Sequence, residues 1–98
     1  MNHIQKIINK FGVNKNFTDG SYITPLHRMA LRYVEGDKSI DIGYDHIPWT
    51  NKYEIISESL KCWNSPYDSE GISIEKKNEI LQKTIEYSKS RKHNAVIV

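Results

Sequence analysis

The stretch from Leu60 to Ile85 constrains the fold more than any other part of the chain. A strand-like segment there runs into a Trp-Asn-Ser-Pro-Tyr corner at residues 63–67, and a helical segment follows. Ser73 is a favourable N-cap for that helix, and Glu75 in the first turn complements the helix dipole. A strand that leads through a proline corner into a capped helix predicts a small α+β domain.

Two amphipathic patterns predict helices at either end of the chain. A short N-terminal helix is indicated by apolar residues at i, i+3, i+4 and i+7, namely Ile4, Ile7, Ile8 and Phe11. In the longer C-terminal helix, three apolar side chains fall within a narrow arc and predict the buried stripe: Ile74, Leu81 and Ile85. Ile80 and Tyr87 lie roughly 100° or more from that stripe on the helical wheel and are expected to face away from it.

Between these helices, strand patterns predict a sheet. Residues 29–35 and 39–45 flank Gly36-Asp37-Lys38, a hairpin signal, and the second arm alternates apolar and polar residues. A third strand is predicted from Tyr53 to Ser57, with a continuation toward Trp63, and residues 95–98 suit a final short strand. Pro25 restricts residues 22–26 to an edge strand or a connection. We therefore expect one domain, residues 1–98, with an antiparallel sheet of about four strands and the C-terminal helix packed on one face.

Composition narrows the setting in which the chain works. No apolar run approaches the roughly 18 residues that span a bilayer, and the N-terminus lacks the apolar core of a signal peptide. The single cysteine, Cys62, excludes an internal disulfide and a cysteine-rich zinc site. These features predict a protein of the reducing cytoplasm that does not bind membranes.

The sequence offers no set of residues for catalysis or for a cofactor. Its histidines lie at scattered positions without metal-ligand spacing, namely His3, His27, His46 and His93. Cys62 would need a nearby base to act as a nucleophile, and burial between sheet and helix is the stronger expectation for it. There is no glycine-rich phosphate loop and no serine-centred elbow. We predict a binding protein that is not an enzyme and takes no metal, cofactor or small-molecule substrate.

Charge is distributed unevenly along the chain. Residues 1–34 carry five basic and one acidic residue (+4), residues 35–70 eight acidic and three basic (−5), and residues 71–98 six basic and three acidic (+3), which gives the total of +2. Carboxylates interleaved with an aromatic suit a protein interface, in which charges set the register and an aromatic supplies burial. The predicted partner-binding residues are Glu35, Asp37, Asp41, Asp45, Trp49, Glu54 and Glu58. For Trp49, packing in the core remains an equal alternative.

The basic ends allow a second hypothesis, a small nucleic-acid-binding module. Basic side chains accumulate along the C-terminal helix and after it, at Lys76, Lys77, Lys83, Lys89, Arg91 and Lys92. They are spread around the helix and mixed with glutamates, of which Glu79 and Lys83 form a helix-supporting i, i+4 pair. A solvated helix face is therefore favoured over a nucleic-acid footprint.

Several segments together resemble a known group of bacterial proteins. They are Tyr33-Val34-Glu35-Gly36-Asp37-Lys38-Ser39-Ile40, Glu54-Ile55-Ile56, and Lys61-Cys62-Trp63-Asn64-Ser65-Pro66 leading to Ile72-Ser73 and Ile80-Leu81. In this pattern, which covers roughly residues 29–92, the chain is similar to the small immunity proteins of polymorphic-toxin and contact-dependent growth inhibition systems. The Trp-Asn-x-Pro corner is the most specific element, and it is structural in character.

The resemblance implies a cytoplasmic protein that binds and blocks the C-terminal toxin domain of a cognate effector. Such toxins are commonly nucleases, most often ribonucleases, whose basic sites a carboxylate-rich patch would complement. On this hypothesis, reversal of Asp41 and Asp45 to Lys weakens toxin binding and leaves thermal stability nearly unchanged. The sequence identifies neither the toxin's substrate nor the oligomeric state.

Overall fold

A computed structural model describes residues 14–98 of the chain. Within them lie six strands, a short 3-10 turn at Ser57–Ser59 and one α-helix. The strands are β1 (Lys15–Asn16), β2 (Tyr22–His27), β3 (Ala30–Glu35), β4 (Lys38–His46), β5 (Lys52–Ile56) and β6 (Asn94–Ile97), and the helix is α1 (Ile74–Ser90). The α+β class is confirmed, with six strands in place of the four expected. The N-terminal helix predicted from Ile4 to Phe11 lies outside the described residues.

The six strands form one sheet in the order β1-β2-β3-β4-β5-β6. Neighbours from β1 to β5 pair antiparallel, whereas β5 and β6 pair parallel. The expectation of a purely antiparallel sheet was therefore wrong. A long connection containing α1 separates β5 from β6 and returns the chain to the end at which β5 began, as parallel pairing requires.

The β3–β4 hairpin closes with a two-residue turn of Gly36 and Asp37, since Glu35 pairs with Lys38. Gly36 has a φ of 59°, a conformation that glycine adopts without steric cost. The hairpin predicted from this signal is confirmed. Its alternation places Ile40, Ile42 and Tyr44 in the core, where each is at most 4% exposed.

Helix α1 packs on this core face along a stripe that matches the predicted one only in part. Leu81 is buried and Ile85 packs against the core as predicted, but Ile80 and Tyr87, which were expected to lie off the stripe, are buried as well. The buried residues of the helix are Ile80, Leu81, Thr84, Tyr87 and Ser88, whereas Ile74 is 63% exposed. Two polar residues occupy the core face because their hydroxyls are satisfied within the helix and its surroundings. Thr84 donates to the carbonyl of Ile80 at 2.7 Å, and Ser88 donates to that of Thr84 at 3.1 Å. Ser73 caps the helix as expected, accepting from the amide of Lys76 at 3.1 Å.

The proline corner, residues 63–67, lies beside the first half of β4, where a further strand would otherwise pair. Strand β5 ends at Ile56, so the predicted continuation toward Trp63 does not form. Instead, the Asn64 amide donates to the Ser39 carbonyl at 2.8 Å, and its side chain donates to Asp41 Oδ1 at 3.2 Å. Trp63 is 4% exposed and belongs to the core. The corner thus bonds to the part of β4 that β5 does not pair with.

Ile56 on β5 lies so close to Gly43 on β4 that a side chain at position 43 would clash with it. A Cβ at position 43 would lie 2.9 Å from the Cβ of Ile56. The Gly43 amide donates to the Ser59 hydroxyl at 2.9 Å, which satisfies a β4 donor as β5 turns away. The pairing of β4 with β5 covers residues 43–46 of β4 and ends at Gly43, opposite Ile56, the last residue of β5.

Candidate functional site: a candidate protein interface

The two ends of β4 define two regions of the molecule. The turn end contains the β3–β4 turn and the start of α1. The loop end contains the β2–β3 turn, the β4–β5 loop (residues 47–51) and the turn of residues 91–93 that precedes β6. Asp37 and Asp45 lie eight residues apart along this strand and its turn, which corresponds to roughly 26 Å at the usual rise of a strand.

The predicted interface residues are divided between these regions. Asp45, Trp49 and Glu54 belong to the loop end, whereas Glu35 and Asp37 belong to the turn end. Asp41 lies in the middle of β4, and Glu58 lies in the exposed 3-10 turn. The acidic middle of the sequence therefore does not form one continuous surface, and only three of the seven residues are brought together at the loop end.

At the loop end, two carboxylates face each other without a counterion. Asp45 on β4 is the direct cross-strand partner of Glu54 on β5, and both are partly buried. No salt bridge within residues 14–98 involves either side chain. Like charges directly opposite each other destabilise a sheet. A partner that brings positive charge to this position would relieve that repulsion.

Trp49 projects from the loop that joins the same two strands. Its side chain is 99% exposed, and its φ of 61° is a conformation that few non-glycine residues adopt. This exposure excludes the alternative in which Trp49 packs in the core, and its role in an interface stays a prediction. A large aromatic held entirely in solvent is the residue type that anchors protein interfaces.

The loop that carries Trp49 is held by its own hydrogen bonds. Thr50 donates from its hydroxyl to the Ile47 carbonyl at 2.7 Å and accepts from the Lys52 amide at 3.0 Å. The ring of His46 reaches the Thr50 carbonyl at 2.5 Å. The amide of Ile47 donates to the Lys52 carbonyl at 2.9 Å. Because the loop is already ordered, binding through Trp49 incurs little additional conformational entropy.

A shallow cavity of about 390 Å³ opens beside this loop. Its walls come from the β2–β3 turn, both strands and the loop, and the lining residues are Arg28, Met29, Asp45, His46, Pro48 and Tyr53. The lining includes one acidic residue, Asp45, and one basic residue, Arg28. The cavity thus continues the surface formed by the carboxylate pair and Trp49.

A stack of aromatic rings supports the loop end from the core side. The ring of Tyr53 packs against those of His93 at 4.0 Å, Tyr44 at 4.6 Å and His46 at 4.7 Å (centroid distances). The Tyr44 hydroxyl is hydrogen-bonded to Ser88 Oγ at 2.7 Å and to His93 Nδ1 at 2.9 Å. Burial raises the pKa of Tyr44 to about 12 and lowers the pKa of His93.

Sequence reasoning did not assign this stack, because its members lie on β4, on β5 and after α1. From the sequence, the alternation in residues 39–45 predicted only that Tyr44 lies on the core face. The stack gives the carboxylate pair and the loop a rigid base, since the ring contacts fix the end of β4 against the start of β6.

At the turn end, carboxylates are paired within the protein. Lys76 contacts Glu35 at 2.8 Å and Glu79 at 3.2 Å, while Lys83 contacts Glu79 at 3.0 Å and Asp19 at 2.6 Å. Burial alone would raise the pKa of Glu35, but hydrogen bonds from Lys76 and the Tyr33 hydroxyl lower it. The hydrogen bond from Lys83 lowers the pKa of Glu79 and, with those from Ser21, that of Asp19.

This network changes the interpretation of two groups of residues. Glu35 lies on the helix side of the sheet and is already paired, so it is a poor candidate for a partner's charge. Lys76 and Lys83 belonged to the basic set behind the nucleic-acid hypothesis, and both are engaged with carboxylates of the same chain. Charges that are satisfied internally contribute little to recognition.

Asp41 is likewise engaged within the sheet. Arg32 donates to both of its carboxylate oxygens, at 2.8 and 3.3 Å, and Asn64 donates at 3.2 Å. The Arg32 guanidinium lowers the pKa of Asp41. Reversal of Asp41 to Lys would place two cations opposite each other, so a cost in stability is now expected for that change. Reversal of Asp45 carries no such cost.

Residues 14–98 contain no cluster of three or more potential metal ligands, and they contain no helix that is long and apolar enough to span a bilayer. Cys62 is exposed, which corrects the expectation that it is buried between sheet and helix. Cys62 pairs only as an isolated bridge partner of Gly71.

Comparison with known protein families gives one match. The family model described as Immunity protein 74 matches residues 24–98, which include β2 to β6 and α1. The matched range also contains every residue of the carboxylate pair, the Trp49 loop and the cavity. No curated protein and no solved structure shows significant similarity to the chain.

Proposed function

Because the chain belongs to the Immunity protein 74 family and is an immunity protein of a toxin system, we propose that it neutralises its cognate toxin by stoichiometric binding through the loop end. Neutralisation of this kind requires an interface and no bond-making chemistry, so the proposal includes that the chain is not an enzyme. The proposed contact residues are Asp45, Trp49 and Glu54.

The observation that carries the proposal is the uncompensated Asp45–Glu54 pair beside a rigid, fully exposed tryptophan. Repulsion between the two carboxylates destabilises the isolated protein, and a cationic partner converts it into attraction. Trp49 would supply the buried centre of the interface, and the charges around it would set register and association rate. Local features that oppose stability are expected where function requires them.

The chemistry of this surface favours a toxin with a basic site. A nuclease must hold phosphate groups, so its active-site cleft carries positive charge, and a pair of carboxylates can occupy the place of the nucleic-acid backbone. We therefore propose a nuclease toxin, with a ribonuclease as the first candidate. We also propose that a contact-dependent growth inhibition system delivers this toxin and that the chain neutralises it in the cytoplasm.

The first experiment identifies the partner. The tagged chain is purified from its native host, and proteins recovered in a stoichiometric amount are identified by mass spectrometry. The expected partner is the C-terminal domain of a large secreted effector. Recovery of nucleic acid alone, lost as the salt concentration rises, would contradict the proposal and favour the nucleic-acid module.

The second experiment locates the interface with two matched double reversals. Asp45→Lys with Glu54→Lys alters the loop end, and Asp37→Lys with Glu58→Lys alters exposed carboxylates elsewhere by the same net charge. We expect the first variant to lower the affinity for the recovered toxin domain at least a hundredfold, and the control to lower it less than fivefold. Equal losses would show that total charge, and not this surface, controls binding.

A further inference from the structure

Strand β6 forms an edge of the sheet, and no strand within residues 14–98 pairs with its outer side. The amides of Asn94 and Val98 donate inward, to the carbonyls of Asn51 at 3.0 Å and Ile55 at 2.9 Å. Because the direction of backbone groups alternates along a strand, the amides and carbonyls of Ala95 and Ile97 face outward. The edge therefore presents two donors and two acceptors at regular spacing.

The side chains along this edge do not protect it. Val96 is 53% exposed, Ile97 39% and Val98 52%. Natural sheets usually protect their edges with charged residues, proline, bulges or a covering segment. Between Asn94 and Val98 the chain has neither a charge nor a proline, and its ladder with β5 is regular. A strand with these properties is suited to pairing with another extended segment.

The uncompensated carboxylates indicate what kind of segment fits. Register places Asp45, Glu54 and Val96 side by side on three neighbouring strands, on the face away from α1. A strand added beside β6 would continue this row, at about 4.8 Å from Val96 and about 10 Å from Glu54. The aliphatic stem of a lysine or arginine at that position would lie over Val96, with its charge near Glu54.

We propose that an extended segment of the toxin, with a lysine or arginine at the position beside Val96, pairs with β6 and lengthens the sheet by one strand. This inference rests on the proposed function and specifies how the toxin is held. Backbone hydrogen bonds to Ala95 and Ile97 supply affinity, and the cationic side chain near Glu54 supplies specificity.

A second copy of this chain fits the edge less well. If two β6 strands paired, Val96 of one copy would lie beside Val96 of the other. The two Glu54 side chains would then be three strand spacings apart, or roughly 14 Å. Neither carboxylate pair would gain a counterion. The charges therefore favour a basic segment of another protein as the occupant.

Amide hydrogen exchange tests the backbone pairing directly. Exchange at Ala95 and Ile97 is measured by NMR in the ¹⁵N-labelled chain, alone and with the toxin domain recovered from the host. We expect these two amides to exchange at least a hundredfold more slowly in the complex, while Asn94 and Val98 change little. Unchanged exchange at Ala95 and Ile97 in a saturated complex would overturn the proposal. Protection that grows with concentration of the chain alone would assign the edge to a second copy and would also overturn it.

A pair of variants tests the charge of the segment. Val96→Lys and Val96→Glu each introduce one charge at the same half-exposed position. Because Val96 is the cross-strand neighbour of Glu54, Val96→Lys should raise and Val96→Glu should lower the stability of the free chain, so melting curves of both variants establish first that each is folded at the temperature of the binding measurement. We expect Val96→Lys to weaken toxin binding at least tenfold relative to Val96→Glu, and equal affinities would contradict a cationic segment. Should Asp45→Lys with Glu54→Lys abolish binding while these tests fail, the proposed function stands without the strand pairing.

Discussion

The turn end and the loop end contain similar residues in opposite electrostatic situations. At the turn end, Glu35 and Glu79 contact Lys76, and Glu79 also contacts Lys83. At the loop end, Asp45 and Glu54 face each other with no cation within salt-bridge distance among residues 14–98. The carboxylates of Glu35 and Glu79 are paired internally, whereas those of Asp45 and Glu54, on directly opposed strand positions, form no salt bridge within residues 14–98. Counting acidic residues along the sequence does not separate these two kinds.

The largest expected effect concerns the exposed aromatic of the loop end. Trp49→Ala should weaken toxin binding by about 2–4 kcal/mol, or roughly 30- to 1,000-fold, because a central aromatic anchor is lost. Thermal stability should be unchanged, since the side chain is 99% exposed. Calorimetric titration with the toxin domain measures the first quantity, and a melting curve measures the second. A loss of less than threefold would remove Trp49 from the interface.

The next effect concerns stability at the turn end. Lys83→Met should lower the free energy of unfolding by about 1–2 kcal/mol, because a largely buried ammonium group bonded to two carboxylates is removed. The Lys83 side chain is only 14% exposed. Lys77→Met on the same helix is the control, since no salt bridge of the described residues includes Lys77. Urea titration compares the two variants, and toxin affinity should stay at the wild-type value in both.

A smaller effect is expected from the loop that positions Trp49. Thr50→Val keeps the shape of the side chain but removes its hydrogen bonds to Ile47 and Lys52. Affinity for the toxin should fall by roughly three- to tenfold, because the loop must then be ordered during binding. Thr50→Ser keeps the hydroxyl and should restore the affinity. If Thr50→Ser is as weak as Thr50→Val, the hydrogen bonds do not position the loop.

The smallest expected effect is a dependence of stability on pH that belongs to the turn end. The pKa values of Glu35, Glu79 and Asp19 are lower in the folded protein than the ordinary values of 4.5 and 3.8. Their contribution is therefore complete above those ordinary values, and it is lost as the pH falls through the lower folded-state values.

Urea midpoints measured between pH 6 and pH 3 should decrease with acidification. The decrease should be shallower in Lys83→Met, because that variant has already lost the interactions that lower the pKa values of Glu79 and Asp19. Parallel curves for the wild type and Lys83→Met would show that the network does not cause the acid sensitivity.

Much of the local structure followed from the sequence. Gly36-Asp37 and the alternation of Ile40, Ile42 and Tyr44 predicted the β3–β4 hairpin, and Ser73 predicted the start of α1. The resemblance carried by the Trp-Asn-x-Pro corner predicted a family of immunity proteins, which the family match supports. These are features that a few neighbouring residues encode by themselves.

The errors arose where distant residues compete. The helix stripe was misassigned because Thr84 and Ser88 satisfy their hydroxyls and occupy the core face, while Ile74 remains exposed. The direction of β6 depends on the crossover through α1, which pattern alone does not reveal. The candidate site was only partly predicted, since Asp45, Trp49 and Glu54 were named together with four residues that lie elsewhere.

The sequence by itself determined the β3–β4 hairpin with its core residues, the start of α1 and the acidic character of the middle of the chain, because propensity, turn chemistry and periodicity act over short distances. The tertiary structure alone decided which carboxylates form an ion pair with a lysine and which occupy opposed positions on neighbouring strands. That outcome depends on strand register and on the position of α1, since electrostatic pairing is fixed by distances between side chains that are far apart in the chain. The loop end is distinctive for this reason, although its residue types are ordinary.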